Sequence, residues 1–464
     1  MKDKNIKDII VVTFSNVLVL LAGVFTSFLI PKFLGLTQYG LYKIFTLYIS
    51  YTAIIEIGYF EGIYLKYTAV PEEKYDMTSF RAYFKTYMLI NMFFSLAVFI
   101  FSQIVFDDEY KIIFIFVVIY ALISNIINYF QIISQCLLRF GEFALRNIIK
   151  SVLLIVIVSA FFIINKLGTS ISYISFLICY ICIFVIIVVW YALTYKRYIW
   201  GEARKIIAVK NESIEFIRIG FPLLIANLCS TLILTLDRQF VSILFSTENY
   251  ALYSFAYSML ALFTTLTSSI SLIVFPSLKI LKKDELKIKY YEYEKLLFIL
   301  ASIFLILYFP LRIVIQFILP QYMQSLRIFQ IILPTLGFSI VISILLQNYY
   351  KTLKKNKLYF YLTLIILAVS FMLNGVFYAI FKTMESISFA SFVTVFVWYF
   401  ITYINLKRIL KLNKYISFYP IIYLLLSIIF LAITNSQMGS FFQAVIYLIF
   451  CVIAVSIMYL KKEN

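Results

Sequence analysis

The sequence predicts an all-α polytopic membrane protein with about fourteen transmembrane helices. Two observations carry that expectation. Of its 464 residues, 63% are hydrophobic and only 13% charged, against roughly 45–50% and 25% in soluble domains. The apolar residues also gather into windows long enough for a hydrocarbon core about 30 Å thick, which a helix crosses in about 20 residues.

Bounded by charge or turn residues, the windows fall at 9–30, 42–65, 84–105, 112–135, 148–165, 172–195, 217–245, 251–276, 296–319, 327–350, 358–381, 387–405, 418–434 and 441–460. The first follows Lys2, Lys4 and Lys7 but runs into Pro31-Lys32 without a small-residue cleavage site, so it reads as a retained span. Sorting Lys and Arg by alternate loops puts 32 on the side of the amino terminus and 7 on the other, with Arg238 inside a span. The positive-inside rule then places both termini in the cytoplasm. This asymmetry accounts for the formal charge of +18 and for the run Lys279, Lys282, Lys283, Lys287, Lys289, Lys295 without nucleic acid. Anionic membrane lipids are the companion partner. The external loops are short: Asp107 to Lys111, Lys166 to Ser170, Ser246 to Asn249, Lys382 to Glu385 and Asn435 to Ser440. None has room for a catalytic domain.

Composition also removes chemistries. There is no histidine, hence none of the commonest general base, metal ligand and proton relay. The five cysteines (Cys136, Cys179, Cys182, Cys229, Cys451) lie within or at the ends of apolar runs, where packing explains them better than disulfides or a metal site. The expectation is a protein without cofactor or metal, and not an enzyme.

Sliding the chain on itself by 211 residues sets Asn16 on Asn227, Leu34 on Phe245, Tyr39 on Tyr250, Leu41 on Leu252 and Tyr42 on Tyr253. A shift of 212 sets Tyr110 on Tyr322, Gln135 on Gln347 and Arg139 on Lys351. Each copy holds six spans, an even number, so both enter the membrane from the same side. The expected organisation is an N-terminal six-helix lobe (1–204), a C-terminal six-helix lobe (205–408) and two additional helices (409–464).

Ionisable groups inside a span cost at least about 2.5 to 3.5 kcal/mol, so they face protein or water. The deep ones are Glu56, Asp237 and Arg238. At 100° per residue, Asn227, Thr231, Arg238 and Ser242 share one face of the seventh helix, with Asp237 about 80° away. On the fourth helix Ser124, Asn125, Asn128, Gln131, Gln135 and Arg139 lie within an arc of about 120° over more than about 20 Å. The first helix adds Thr13, Asn16, Gly23 and Ser27 along one face. Such stripes suit a wet cavity or interhelical hydrogen bonds, the latter worth about 0.6 kcal/mol each. Arg238 reads either as one half of a structural ion pair, with Asp237 or Glu56, or as a ligand for an anion. Glu56 is the stronger candidate for ion coupling, with Asp237 beside it. Gly58, Gly62, Pro222, Pro276, Pro310 and Pro334 are candidate hinges or kinks.

Several segments also resemble a known family. Pro31 to Tyr42 (PKFLGLTQYGLY) resembles the turn after the first helix of polysaccharide-unit flippases, and Ile219 to Leu224 (IGFPLL) with Leu236-Asp237-Arg238 resembles their seventh helix. Glu56-Ile57-Gly58, Arg139-Phe140-Gly141 and Gln321-Tyr322 support the match. These are the Wzx-type O-antigen and capsule flippases, of the superfamily that includes lipid II flippases and MATE exporters. The resemblance implies two six-helix lobes around a central cavity and residence in the bacterial cytoplasmic membrane. It also implies translocation of a polyprenyl-diphosphate-linked oligosaccharide to the outer leaflet by alternating access, with other polysaccharide assembly proteins as candidate partners. Arg238 and Arg139 would then attract the diphosphate, while Asn16, Asn125, Asn128, Gln131, Gln135, Asn227 and Thr231 would bond sugar hydroxyls. Two departures bear on the branch. The first window lacks the cations typical of lipid II flippases, and fourteen helices exceed the usual twelve of MATE exporters. The alternatives are a cation-coupled multidrug exporter and a membrane-embedded polysaccharide polymerase or transferase; polymerases of this pathway usually carry a long outer loop and membrane acyltransferases a histidine.

Overall fold

The first apolar window and the start of the second lie on two helical segments joined end to end at a sharp break. In the computed structural model, which describes residues 2–68, 70–411 and 417–460, α1 (Lys2–Ile49) continues through Pro31 and changes direction at Gly35, where φ is 71° and ψ 179°. Glycine adopts that φ without the steric penalty a Cβ would bring. The apolar stretch Phe14–Glu56 is 43 residues long. As helix it would span about 60 Å, twice the hydrocarbon thickness, so the one stretch does the work of two windows.

The second window then breaks before its end. α1 gives way to a 3₁₀ turn (Thr52–Glu56), followed by Ile57 (φ 46°) and Gly58 (φ 81°) in the left-handed region and by α2 (Tyr59–Tyr67). This break fixes where the Glu56 carboxylate sits.

By its contacts the chain divides into two units, Met1–Thr231 and Leu232–Asn464. The first contains α3 (Met77–Val105), α4 (Asp108–Cys136), α5 (Phe140–Lys166), α6 (Tyr173–Thr194), the single turn α7 (Lys196–Ile199) and the first part of α8 (Lys210–Leu244). Asp76 starts α3: its carboxylate accepts the Thr78 N–H at 3.0 Å, the Thr78 hydroxyl at 2.6 Å and the Ser79 hydroxyl at 2.8 Å, and pairs with Arg204 at 2.9 Å. The Thr78 hydroxyl above all holds this carboxyl below its usual range. Helix α1 packs along α5, α3 on α4, and α4 on α6. The core between α2, α3, α4 and α8 is aromatic, built on Tyr59, Phe60, Tyr83, Tyr87, Tyr129, Phe130 and Phe216. A buried tyrosine usually finds a partner for its hydroxyl, although that of Tyr87 has none among the described residues. Tyr59 donates to the Tyr83 carbonyl at 3.2 Å, Tyr129 to the Phe80 carbonyl at 3.1 Å, and Tyr83 to the Glu212 carboxylate.

Three glycines let α2 and α8 meet backbone to backbone. A Cβ on Gly220 would overlap the Gly58 carbonyl and lie 2.7 Å from the Gly62 nitrogen, and one on Gly62 would overlap the Phe216 backbone. Two of the expected hinge positions, Gly58 and Gly62, are thus close-packing positions.

The second unit holds the end of α8, then α9 (Thr247–Ile280), α10 (Lys283–Ile306), α11 (Tyr308–Ile318), α12 (Ser325–Ile332), α13 (Thr335–Ile340), α14 (Gln347–Thr352), α15 (Asn356–Phe381), α16 (Met384–Leu410), α17 (Phe418–Thr434) and α18 (Ser440–Leu460). Helix α10 packs against α17 and α18, α12 against α9 and α16, and α15 against α16. The window at 327–350 is bent by 46° between α12 and α13 at Leu333-Pro334, and a π-helical turn (Val341–Leu346) follows. Proline lacks the N–H that would continue the ladder, so the bend falls there.

No strand occurs among the described residues. They contain ten helices long and apolar enough to cross a membrane, eleven counting the bent pair, and the shorter apolar α17. The count of fourteen is not reproduced by this measure. Windows cut at charges and turns separate 9–30 from 42–65, which the structure joins, and window 251–276 lies in α9, where the side chains at 265–273, 275–277, 279 and 280 are outside the described residues, as is that of Pro276.

Gly220 supplies a direct check. Gly220→Ala puts a methyl into the Gly58 carbonyl, a backbone atom that cannot swing away, whereas a Cβ on Gly23 meets open space. We expect Gly220→Ala to lower the amount of folded protein in the membrane several-fold and Gly23→Ala to leave it unchanged. Equal amounts by fluorescence-detected size exclusion would refute the close contact.

Candidate functional site

Each unit contains a cavity with polar side chains in its wall, at a break in its helices. In the first unit a cavity of about 280 Å³ is walled by Ser50, Thr52 and Ala53 beside the break, by Ser124, Asn128 and Gln131 of α4, by Arg146, Asn147 and Lys150 of α5, and by Phe184, Ile187 and Tyr191 of α6. Glu56 is buried just behind this wall, 5% exposed, and the Asn128 amide donates to its carboxylate at 2.7 Å. Deeper on α4, Asn125 is fully buried and donates to the Asn91 side chain at 3.2 Å, which donates in turn to the Leu122 carbonyl at 3.2 Å.

In the second unit a cavity of about 470 Å³ is lined by Asp237 and Arg238 of α8, Tyr257 and Thr264 of α9, and Thr335, Ser339, Ser343, Gln347 and Ser391, with apolar residues between them. Asp237 is 2% exposed. Its carboxylate accepts the Tyr253 hydroxyl at 2.8 Å, the Tyr257 hydroxyl, and the Arg238 backbone N–H at 2.7 Å. The Arg238 guanidinium lies 4.8 Å over the Tyr257 ring and donates to the Leu234 carbonyl at 3.0 Å, while its buried Nε has no partner. Among the described residues no carboxylate stands within ion-pair distance of it.

Amides, hydroxyls and cations are thus set into the walls of both cavities. Residues 6–281, well over half of the chain, match the family model described as "Polysaccharide biosynthesis protein". The chain belongs to that family. Its fold is similar to that of the lipid II flippase MurJ in an inward closed conformation, at 17% identity with 98% of each chain covered and a TM-score of 0.67. It is also similar to an inward-facing multidrug resistance MATE family transporter of the MOP superfamily, at 13% identity, 86% of this chain and 96% of that one, and a TM-score of 0.60. A MOP superfamily transporter from Pyrococcus furiosus gives 14% identity, 87% and 94% coverage, and 0.54. At such identities the likeness shows the fold. No curated relative matches the chain by sequence. This family member is therefore a multi-pass membrane protein whose fold is like those of these solved structures.

The structure distributes the expected site residues unevenly. Asn128 and Gln131 line the first cavity, Asp237 and Arg238 the second. Helical angles alone set Asp237 apart from the face of Arg238, yet both reach one cavity because Tyr257 on α9 bridges them, its hydroxyl on the acid and its ring under the guanidinium. Arg139 lies between α4 and α5, paired with Glu72 at 2.8 Å and with Glu142 at 3.7 Å. Burial alone would lower its pKa, but Glu72 and then Tyr195 and Glu142 raise it, so this cation is met within the protein. Asn125 is taken up by Asn91, and Asn16 and Gln135 are half-buried outside both cavity walls. Asn227 is exposed, with the Thr231 hydroxyl donating to its carbonyl at 3.1 Å. Sequence reading missed Arg146 and Lys150, which the window starting at 148 left at its edge. Their spacing of four residues, which stacks side chains on one helix face, was the available signal.

The Asn128–Glu56 bond is testable by a double substitution. Asn128→Leu leaves a buried carboxylate without its donor and should lower stability by about 1–3 kcal/mol, while Asn128→Leu with Glu56→Leu removes both partners and should recover most of it. Thermal melting in detergent reads both, and an unchanged Asn128→Leu protein would mean the bond contributes nothing.

Proposed function

We propose that the protein flips a polyprenyl-diphosphate-linked oligosaccharide from the cytoplasmic to the outer leaflet of a bacterial cytoplasmic membrane by alternating access, with both termini cytoplasmic. Membership of a polysaccharide biosynthesis family supports the pathway, and the MOP-type fold supports transport. The observation that carries the reading is Arg238: a guanidinium lining a cavity with no carboxylate within ion-pair distance among the described residues, the neighbouring Asp237 being held by Tyr253 and Tyr257 instead. Retaining an unbalanced cation in a membrane is expensive unless an anion arrives, and a diphosphate offers oxygens that match the planar fork. The amide and hydroxyl lining beside it suits sugar hydroxyls, since each such group both donates and accepts.

Surface-polysaccharide complementation, read beside membrane protein level, tests this. Arg238→Lys keeps the charge but not the fork and should retain partial activity, whereas Arg238→Ala should retain almost none at normal abundance. Full complementation by Arg238→Ala would remove Arg238 from the substrate site. Drug efflux by the wild type without polysaccharide complementation would transfer the protein to the multidrug exporters.

Glu56 and Asp237, both buried and held by neutral donors, are the carboxylates we assign to ion coupling. Replacing either by its amide keeps the shape and removes the titratable charge. Glu56→Gln or Asp237→Asn should abolish the dependence of flipping on pH or sodium in reconstituted vesicles. An unaltered dependence in both would end the assignment.

A further inference from the structure

The cavity of the first unit carries more positive charge than its surroundings balance. Arg146 and Lys150 stand one turn apart on α5 and both line it, together with Asn128, Gln131 and Asn147; no Asp or Glu does. Arg146 is 4% exposed, with one nitrogen donating to the Glu142 carbonyl at 3.0 Å and another to the Thr194 hydroxyl at 2.9 Å. Its Nε is buried without a partner. The nearest carboxylate, Glu142 at 3.5 Å, is shared with Arg139 at 3.7 Å. Lys150 has no carboxylate within ion-pair distance among the described residues, and its ammonium rests 5.7 Å over the Phe184 ring. Arg146 thus has part of Glu142 and Lys150 has no ion pair among the described residues, while Glu56 behind the wall is bonded to Asn128 and to neither cation.

We propose that this cavity is a subsite for the carboxylate of an acidic sugar residue in the transported glycan; the proposal rests on the flippase reading above and narrows its substrate class. Three features favour a sugar acid over a bare inorganic anion. A carboxylate takes hydrogen bonds from a guanidinium and an ammonium at once. The three amides flanking the cations supply acceptors as well as donors, which sugar hydroxyls use and chloride does not. The volume of about 280 Å³ equals that of about nine waters and falls below the range of larger ligand sites, so it suits one ring and not a whole oligosaccharide.

Trp190 makes the site observable, because its ring lies 5.0 Å from the Arg146 guanidinium carbon. The chain has three tryptophans, so Trp200→Phe with Trp398→Phe leaves Trp190 as the reporter. In full-length protein in nanodiscs, glucuronate should change its emission saturably, while glucose, and chloride at equal ionic strength, should not. Lys150→Gln should raise the apparent Kd for glucuronate about tenfold and Lys150→Arg by less than about twofold. Lys150 is the residue to vary, since Arg146 is packed on Tyr191 at 4.0 Å and its loss endangers folding. An equal response to chloride or to glucose, an unchanged Kd in Lys150→Gln, or no saturable response in the wild type would each overturn the subsite. Binding is read here without transport, so absent glucuronate binding beside intact polysaccharide complementation refutes the subsite alone, whereas absent complementation by the wild type refutes the flippase reading.

Discussion

Hydrocarbon offers no hydrogen bonds, so a polar group carried into the membrane turns to the protein or to a wet cavity for its partners. The carboxylates of this chain show how that demand is met. Glu56 takes an amide from Asn128; Asp237 takes the hydroxyls of Tyr253 and Tyr257; Glu294, fully buried on α10, takes the hydroxyls of Tyr290 and Tyr399 at 3.2 and 2.7 Å. Tyrosine suits this work because one side chain brings a large apolar ring and one polar tip. None of these donors carries a charge. A carboxylate held this way has no cation as its partner, whereas Arg139 and Glu72 pair within the protein.

The same constraint explains where the backbone departs from the α-helix. Irregular backbone at membrane depth is tolerated where it is buried in protein or lines a wet cavity. The turn after α1 supplies Ser50, Thr52 and Ala53 to the wall of the first cavity, and the π-helical turn after α13 supplies Ser343 to the wall of the second. Each unit places its cavity beside its own interruption. Close packing by Gly58, Gly62 and Gly220 holds the segment after the first break against α8, a contact that a single methyl would prevent.

Much of this was legible in the residues. Apolar windows are a one-dimensional signal, and they located the helices because a membrane helix satisfies its backbone internally. Glu56, Asp237 and Arg238 stood out because a charge in an apolar run is costly wherever it ends up. What escaped depended on neighbours distant in sequence. The role of Gly220 is set by Gly58, 162 positions earlier, and no periodicity within α8 announces it. Arg139 falls on the arc of Asn128 and Gln131 only if the helix is carried past Cys136, where α4 ends, and Glu72, reached only through the fold, takes its charge. Arg146 and Lys150 sat at the rim of an apolar window, where a cation reads as a topological signal until α6 is seen to close over it.

Tyr257 shows what the fold adds to the pair Asp237-Arg238. Adjacent residues on a helix diverge by 100° and cannot pair well directly. One tyrosine reaches both, donating its hydroxyl to the acid while its ring faces the guanidinium. The hydroxyl serves Asp237 best when that carboxylate is charged, since a charge-assisted bond is roughly twice as strong as a neutral one. The ring serves Arg238 through its electron-rich face, and that attraction strengthens as water is excluded. The same ring thus orients Arg238 while its hydroxyl holds Asp237, so two side chains that cannot bond each other are joined through a third.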